Sequence, residues 1–303
     1  MAEPRIPSGP NPSDGGSQSH PLPSGLFMFA FVAVVLVVVV VLVVLNLTSN
    51  SPPGAAPPPV QPAPSALVQD VTSIPPSVFN QVGDPSLPLL SAPAVVHGAQ
   101  VLHVHGRPAI VWVGALYCPA CAAERWALVI ALGRFGTFDK LYSTTSATTD
   151  VFPGTPTFSL QGAVYHSNLL SLSAVEEYGN EQSVLAPAGY ERLATPDAVE
   201  AASLKAYDKS PWAEPGVLPF IDVANRMVLS GATFTPGLLH GLSMQQIVSD
   251  LVNKPGNQTT RALVGAANQI TAAICTVLAK PPVDVCSSPA IRLTSTLLGL
   301  GAA

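Results

Sequence analysis

The chain has 303 residues, of which 48% are hydrophobic and only 10% charged, and its formal net charge is −5. So few charges on an acidic balance exclude a nucleic-acid-binding face, which needs clustered Lys and Arg, and give no basic patch for anionic lipid. Two counts stand out: 32 prolines, which divide the chain into regions, and four cysteines, which concentrate its chemistry.

Residues 1–24 are rich in Pro, Ser and Gly and are expected to be a disordered cytoplasmic tail. Residues 25–47, GLFMFAFVAVVLVVVVVLVVLNL, carry no charge. At about 1.5 Å per residue this run crosses a bilayer's hydrocarbon with some tilt. Valine is a poor helix former in water. In lipid the backbone must satisfy its hydrogen bonds within the segment, so helix is expected. The run exceeds a signal-peptide apolar core, and Asn46–Asn50 offers no small-residue cleavage pattern, although Gly54-Ala55-Ala56 lies beyond. The expectation is an uncleaved single-pass cell-membrane anchor. Arg5 against Glu3 and Asp14 leans only weakly towards a cytoplasmic N-terminus. All four cysteines follow the span, as suits an oxidising compartment. The mean hydropathy of +0.40 is inflated by this segment and does not indicate further spans.

Residues 48–76, centred on SPPGAAPPPVQPAPS, read as a stiff, partly polyproline II linker. Residues 77–303 then form one extracytoplasmic domain, long enough to bury a core.

Within it, Gln100–His105 alternates, and Gly106-Arg107 turns the chain into an apolar strand, Pro108–Ala115. His103 and His105 fall on one side of that first strand. With no third ligand in view they read as a polar face, not a metal site. A helix follows from Cys118 to about Leu132. Its residues Ala122, Trp126, Val129, Ile130 and Gly133 share one face, so Trp126 reads as core. Glu124 and Arg125 read either as thiol-tuning groups or, more simply, as a solvated or salt-bridged face. Phe138 begins a β-branched strand. Thr155–Leu160 and Ala163–Leu172 are expected to pair around Gln161-Gly162. Ser173–Tyr178 and Pro196–Tyr207 read as helices. Two short strands flank a turn at Ala224-Asn225. Ser243 with Gln246 three residues on marks a helix start. A last helix runs from about Thr259 to Leu278. Asn46-Leu47-Thr48 and Asn257-Gln258-Thr259 fit the glycosylation sequon.

The chemistry centres on Cys118-Pro119-Ala120-Cys121, at a strand-to-helix turn. Thiols at i and i+3 can close a disulfide and reopen it. A helix N-terminus carries partial positive charge, which stabilises the Cys118 thiolate. Pro119 suits the first helical position. Zinc would need a second ligand pair, and haem attachment a histidine where Ala122 stands. No metal and no cofactor is therefore expected. Cys275 and Cys286 bracket Pro281-Pro282, which can turn the chain back. A structural disulfide is the leading reading, with a second redox pair or two free thiols as alternatives.

Three blocks carry a resemblance: YCPACAAERWALVIALGRFGTF from Tyr117, EEYGNE from Glu176 and LPFIDVANRMVLSGA from Leu218. They resemble the archaeal and actinobacterial family known as domain of unknown function 929, classed as thioredoxin-like. The resemblance covers most of residues 80–290. It implies an α/β, thioredoxin-like fold with a helical/β insertion over about 150–216. It also implies an exported or membrane-anchored setting and redox chemistry. In thioredoxin-like proteins a cis-proline faces the C-x-x-C pair and shapes the substrate edge. Pro219, after Leu218, has the fitting place in the element order, ahead of Pro156. The substrate-binding residues expected are then Pro219, Leu218 and Tyr117.

The resulting expectation is a membrane-tethered thiol–disulfide oxidoreductase in which Cys118 attacks and Cys121 resolves. Its partners would be thiols and disulfides of exported proteins, a membrane or soluble redox partner, the membrane itself through residues 25–47, and no nucleic acid. The alternative is a cell-envelope binding module whose C-P-A-C bridge is purely structural.

Overall fold

The computed structural model describes residues 56–83, 89–186 and 189–301. The expected tail and span at 1–24 and 25–47 lie outside these residues, as do residues 48–55. Among the described residues, no helix is long and apolar enough to cross a membrane. The architecture is mixed α/β, with three sheets and eight α-helices among the described residues.

The central strand, β4 (Arg107–Gly114), is buried from Pro108 onward. An unbroken apolar run of this kind suits a strand covered on both faces. It is entered by a hairpin from β3 (His103–Val104) through His105-Gly106, both at positive φ, which a two-residue hairpin turn requires. His105 therefore lies in the turn and not on the strand, so the two histidines do not share a strand face.

On one side β4 pairs antiparallel with β10 (Phe220–Val223). β10 pairs with β11 (Met227–Ser230), and β11 with β2 (Ala94–Val95). Ala224 and Asn225, at φ 50° and 59°, make the β10–β11 turn where it was expected. β4 also pairs with β7 (Ser171–Glu176), in parallel, from Ala109 opposite Ser171 to Gly114 opposite Glu176.

The crossover from β4 to β7 carries α3 (Pro119–Gly133) and an antiparallel pair, β5 (Thr137–Thr145) and β6 (Pro156–His166). Two expectations fail here. β6 is one strand through Gln161-Gly162 rather than a hairpin, because both of its halves find partners on β5. Ser173–Tyr178 is not helical: it supplies β7 and the start of β8 (Tyr178–Gln182), which pairs with β9 (Tyr190–Arg192). Pairing with the buried β4 outweighs the helix preference of Ala174 and Glu177.

The linker ends earlier than expected. β1 (Gln61–Pro62) adds to β5, and α1 (Ser65–Thr72) buries Leu67 and Val71 in the main core. α2 (Pro76–Val82) buries Val78 and Phe79. Gly133, which ends α3, permits the docking of α1: a Cβ there would lie 2.8 Å from Thr72 Cβ. The linker composition hid a short amphipathic pattern, Leu67–Val71–Ile74.

Beyond β9 come α4 (Ala198–Tyr207), α5 (Met244–Asn253) and α6 (Gln258–Val277). α5 starts on the expected capping box of Ser243 and Gln246. The sequon residue Asn257 caps α6, accepting from Thr260 N–H at 2.6 Å. α6 is not the last helix. α7 (Val283–Cys286) and α8 (Pro289–Leu298) follow it.

Cys275 on α6 and Cys286 on α7 form a buried disulfide across a separation of 11 residues. Closing a loop this short removes about 3 kcal/mol of unfolded-state entropy. The Cys275→Ser/Cys286→Ser double variant should lose stability of that order in urea unfolding, with the cysteines of the 118–121 pair still reactive. An unchanged midpoint would mean that the bridge adds nothing to the fold.

Candidate functional site

α3 places the cysteine pair. Cys118 is its N-cap, in extended conformation, and Pro119 fills the first helical position. Five alanines with Leu128 and Leu132 then favour helix. The helix is buried on every side from Cys121 to Leu132, not along one face as periodicity suggested, because the sheet and α6 enclose it. Trp126 is core, as expected. Its ring meets Phe158 edge-on and its indole N–H donates to Pro156 O at 2.9 Å.

Cys118 Sγ accepts from Cys121 N–H at 3.1 Å, so a backbone donor at the helix start points at the sulfur. The same sulfur lies 3.8 Å from Leu218 O, across the cleft where Leu218–Pro219 is a cis peptide. Both thiols are free of any bridge. Cys118 is 9% exposed and Cys121 fully buried. The two acidities part in opposite directions. The hydrogen bond with Cys121, its N–H and the Arg125 charge pull the Cys118 thiol below its ordinary value against the cost of burial. Burial and the neighbouring Cys118 push Cys121 well above it. Ionisation therefore belongs to Cys118, the outer sulfur, and the thiolate is the nucleophilic form.

Tyr117 stacks on Tyr190 with ring centroids 4.2 Å apart and lies 6.2 Å from Tyr178. Burial, then the nearby thiols, pushes its hydroxyl up to about 12. Arg192 covers Tyr178 and pairs with Glu177. The β8–β9 hairpin thus flanks the cysteines, held to β5 by Asn180, which donates to Thr144 Oγ1 and Thr145 O. A depression of about 340 Å³ borders this hairpin between Leu116, Asn180 and Leu193. A larger groove, about 480 Å³, lies between α1 and β5 and contains none of these residues.

Glu124 and Arg125 are not a solvated face: both are completely buried. Arg125 forms a two-pronged pair with Glu176, Nε to Oε1 at 2.7 Å and Nη2 to Oε2 at 2.6 Å, and Nη2 also donates to Ala115 O at 2.7 Å. Trp112 donates to Glu176 Oε1 at 3.1 Å. Glu176 stands in one of the quoted sequence blocks yet carried no expected role. A carboxylate at the end of an apolar strand pairing with a helix arginine was the available signal.

Glu124 accepts at Oε1 from both Thr233 N and Thr233 Oγ1, while Oε2 has no hydrogen-bond partner. Burial, partly offset by Thr233, lifts its carboxyl from 4.5 to about 7. The folded protein therefore keeps this proton long after the unfolded chain has lost it. The stability it contributes is full below about pH 4.5 and is lost as pH rises through about 7, on the order of 3 kcal/mol. Glu124→Gln should flatten the stability profile across that window in urea unfolding. Asp222, lifted by burial to about 6, has the same sign and leaves a smaller slope. A profile as steep in the variant as in the parent would rule out Glu124 as its source.

Among the described residues, no group of three or more His, Cys, Asp and Glu is placed to hold a metal ion. The molecule is thus a mixed α/β protein with a free, unequally acidic C-x-x-C pair capping a buried helix. Residues 94–276 match the family described as domain of unknown function (DUF929), and the chain belongs to that family. Neither the curated proteins nor the solved structures include a match to it.

Proposed function

We propose that this chain is a thioredoxin-like thiol–disulfide oxidoreductase, tethered to the cell membrane by residues 25–47 and acting on exported proteins. One observation carries the reading. The outer sulfur, Cys118, sits at a helix N-terminus on a backbone donor with its acidity raised, against a buried partner whose acidity is lowered. What supports it in the fold is the strand order β11-β10-β4-β7, with α3 in the parallel β4–β7 crossover and a closing β10–β11 hairpin, an order a thioredoxin-like protein would have. The β5–β6 pair and the β8–β9 hairpin are then insertions, whereas α4 takes the place of the helix between the second and third strands, and β7, a strand of the central sheet, lies inside the 150–216 stretch expected to be inserted. Leu218 and Pro219 face Cys118 where a client chain would lie, and Tyr117 borders the approach.

The exchange balances without a cofactor. With the pair reduced, the Cys118 thiolate attacks a client disulfide and releases one client thiolate. Cys121 then attacks Cys118 Sγ, closes the C-P-A-C bridge and frees the second client sulfur. Two electrons pass to the client, and the reverse sequence oxidises a client dithiol. A membrane or soluble partner must restore the starting form.

The test is equilibration of the full chain, in detergent, with glutathione redox buffers. A potential between about −120 and −230 mV indicates an oxidase or isomerase, and one near about −270 mV a reductase. A bridge that neither opens nor re-forms would leave the cell-envelope binding module as the reading.

A further inference from the structure

Resting on that reading, one step of the exchange has no base to serve it. Cys121 must become nucleophilic to resolve a mixed disulfide, yet it is fully buried and its acidity is opposed by burial. Neither buried carboxylate near the start of α3 is hydrogen-bonded to Cys121. Glu176 is clamped by Arg125 and Trp112. Glu124 turns to Thr233.

Arg125 is placed differently. It stands four residues after Cys121 on α3, and residues at i and i+4 are neighbours on one helix face. Its Nε and Nη2 are fully used by Glu176 and Ala115 O, which fixes the guanidinium plane. Trp112 lies along it, 5.3 Å from ring centroid to the guanidinium carbon. Its Nη1 is buried and has no hydrogen-bond partner at all. An unsatisfied donor on a buried charge is costly to maintain unless some state of the protein uses it.

We propose that Arg125 is the positioning charge of the resolving step, its free Nη1 donating to Cys121 sulfur as that sulfur takes on negative charge. Glu176 holds the fork in place rather than accepting a proton. In the mixed disulfide, Cys121 Sγ attacks Cys118 Sγ, the bond from Cys118 to the client sulfur breaks, and the client sulfur leaves with the electron pair. The proton of Cys121 goes to that leaving thiolate, so no separate base is needed. The groups facing the Arg125 guanidinium are Glu176 from β7 and Cys118 and Cys121 from α3 itself. Of the two thiols, Cys121 interacts with it the more strongly.

Ellman's reagent separates the two steps in the full-length protein. Attack by Cys118 releases one thionitrobenzoate, and resolution by Cys121 releases the second. The informative variant is Arg125→Met/Glu176→Gln, which removes both charges together and keeps the volume. The second release should slow by about tenfold or more, the loss expected for one unit of thiol acidity, while the first changes far less. Equal slowing of both phases, or an unchanged second phase in a folded variant, overturns the proposal. If the double variant does not fold, Arg125→Lys replaces it. Lysine keeps the charge but cannot serve Glu176, Ala115 O and Cys121 at once, so the second phase should again slow selectively, and an unchanged one again overturns the role. A parent protein that releases no thionitrobenzoate would instead count against the oxidoreductase reading itself.

Discussion

Cys118→Ser should abolish disulfide exchange, lowering the rate by about three orders of magnitude or more, because it removes the only sulfur that both ionises and reaches the cleft. Cys121→Ser should do something different. Cys118 would still attack, but nothing would resolve the product, so mixed disulfides with client proteins should accumulate and be visible on non-reducing gels. The asymmetry should also appear in alkylation. In the reduced parent, iodoacetamide should modify Cys118 below the pH at which ordinary thiols react, since its acidity is raised by the Cys121 contact, the N-terminal N–H and Arg125. Cys121 should stay protected by burial. Mass spectrometry of the modified peptide decides the point: equal modification of both cysteines would remove the attacking-and-resolving assignment.

Glu176→Ala should be the most destabilising single change at the site, costing about 3–5 kcal/mol in urea unfolding at neutral pH. The loss is not the value of the ion pair as such. A buried pair gains little over a well-packed apolar one, because desolvation offsets attraction. The cost arises because alanine leaves the Arg125 guanidinium, completely buried, with Ala115 O as its remaining partner, and leaves the Trp112 N–H without one. Arg125→Met/Glu176→Gln should therefore lose less stability than Glu176→Ala alone, although it changes more atoms. If the single variant were the more stable of the two, the pair would not be holding an otherwise uncompensated charge.

Much of the site was legible locally. The C-P-A-C turn, the helix behind it, the Ala224-Asn225 turn and the Ser243 cap each depend on a few consecutive residues, and each stands where it was expected. Segments judged by composition fared worse. The proline-rich stretch concealed α1, whose buried residues are too few to register against their surroundings. Ser173–Tyr178 has residues that tolerate helix, and only the parallel register with β4 makes it a strand.

By itself, the sequence determined that two thiols meet at a helix N-terminus, because a cap, a proline at the first position and three-residue spacing act within a single turn. The tertiary structure decided what surrounds them. Glu176 comes to Arg125 from 51 residues along the chain, and Leu218 O to Cys118 from 100 residues. The same enclosure turned Glu124 and Arg125 from candidates for a wet surface into buried groups. Whether a charged side chain meets water or a partner depends on which distant elements pack over it, and that follows from the register of β4 with β7 and β10, not from its neighbours in sequence.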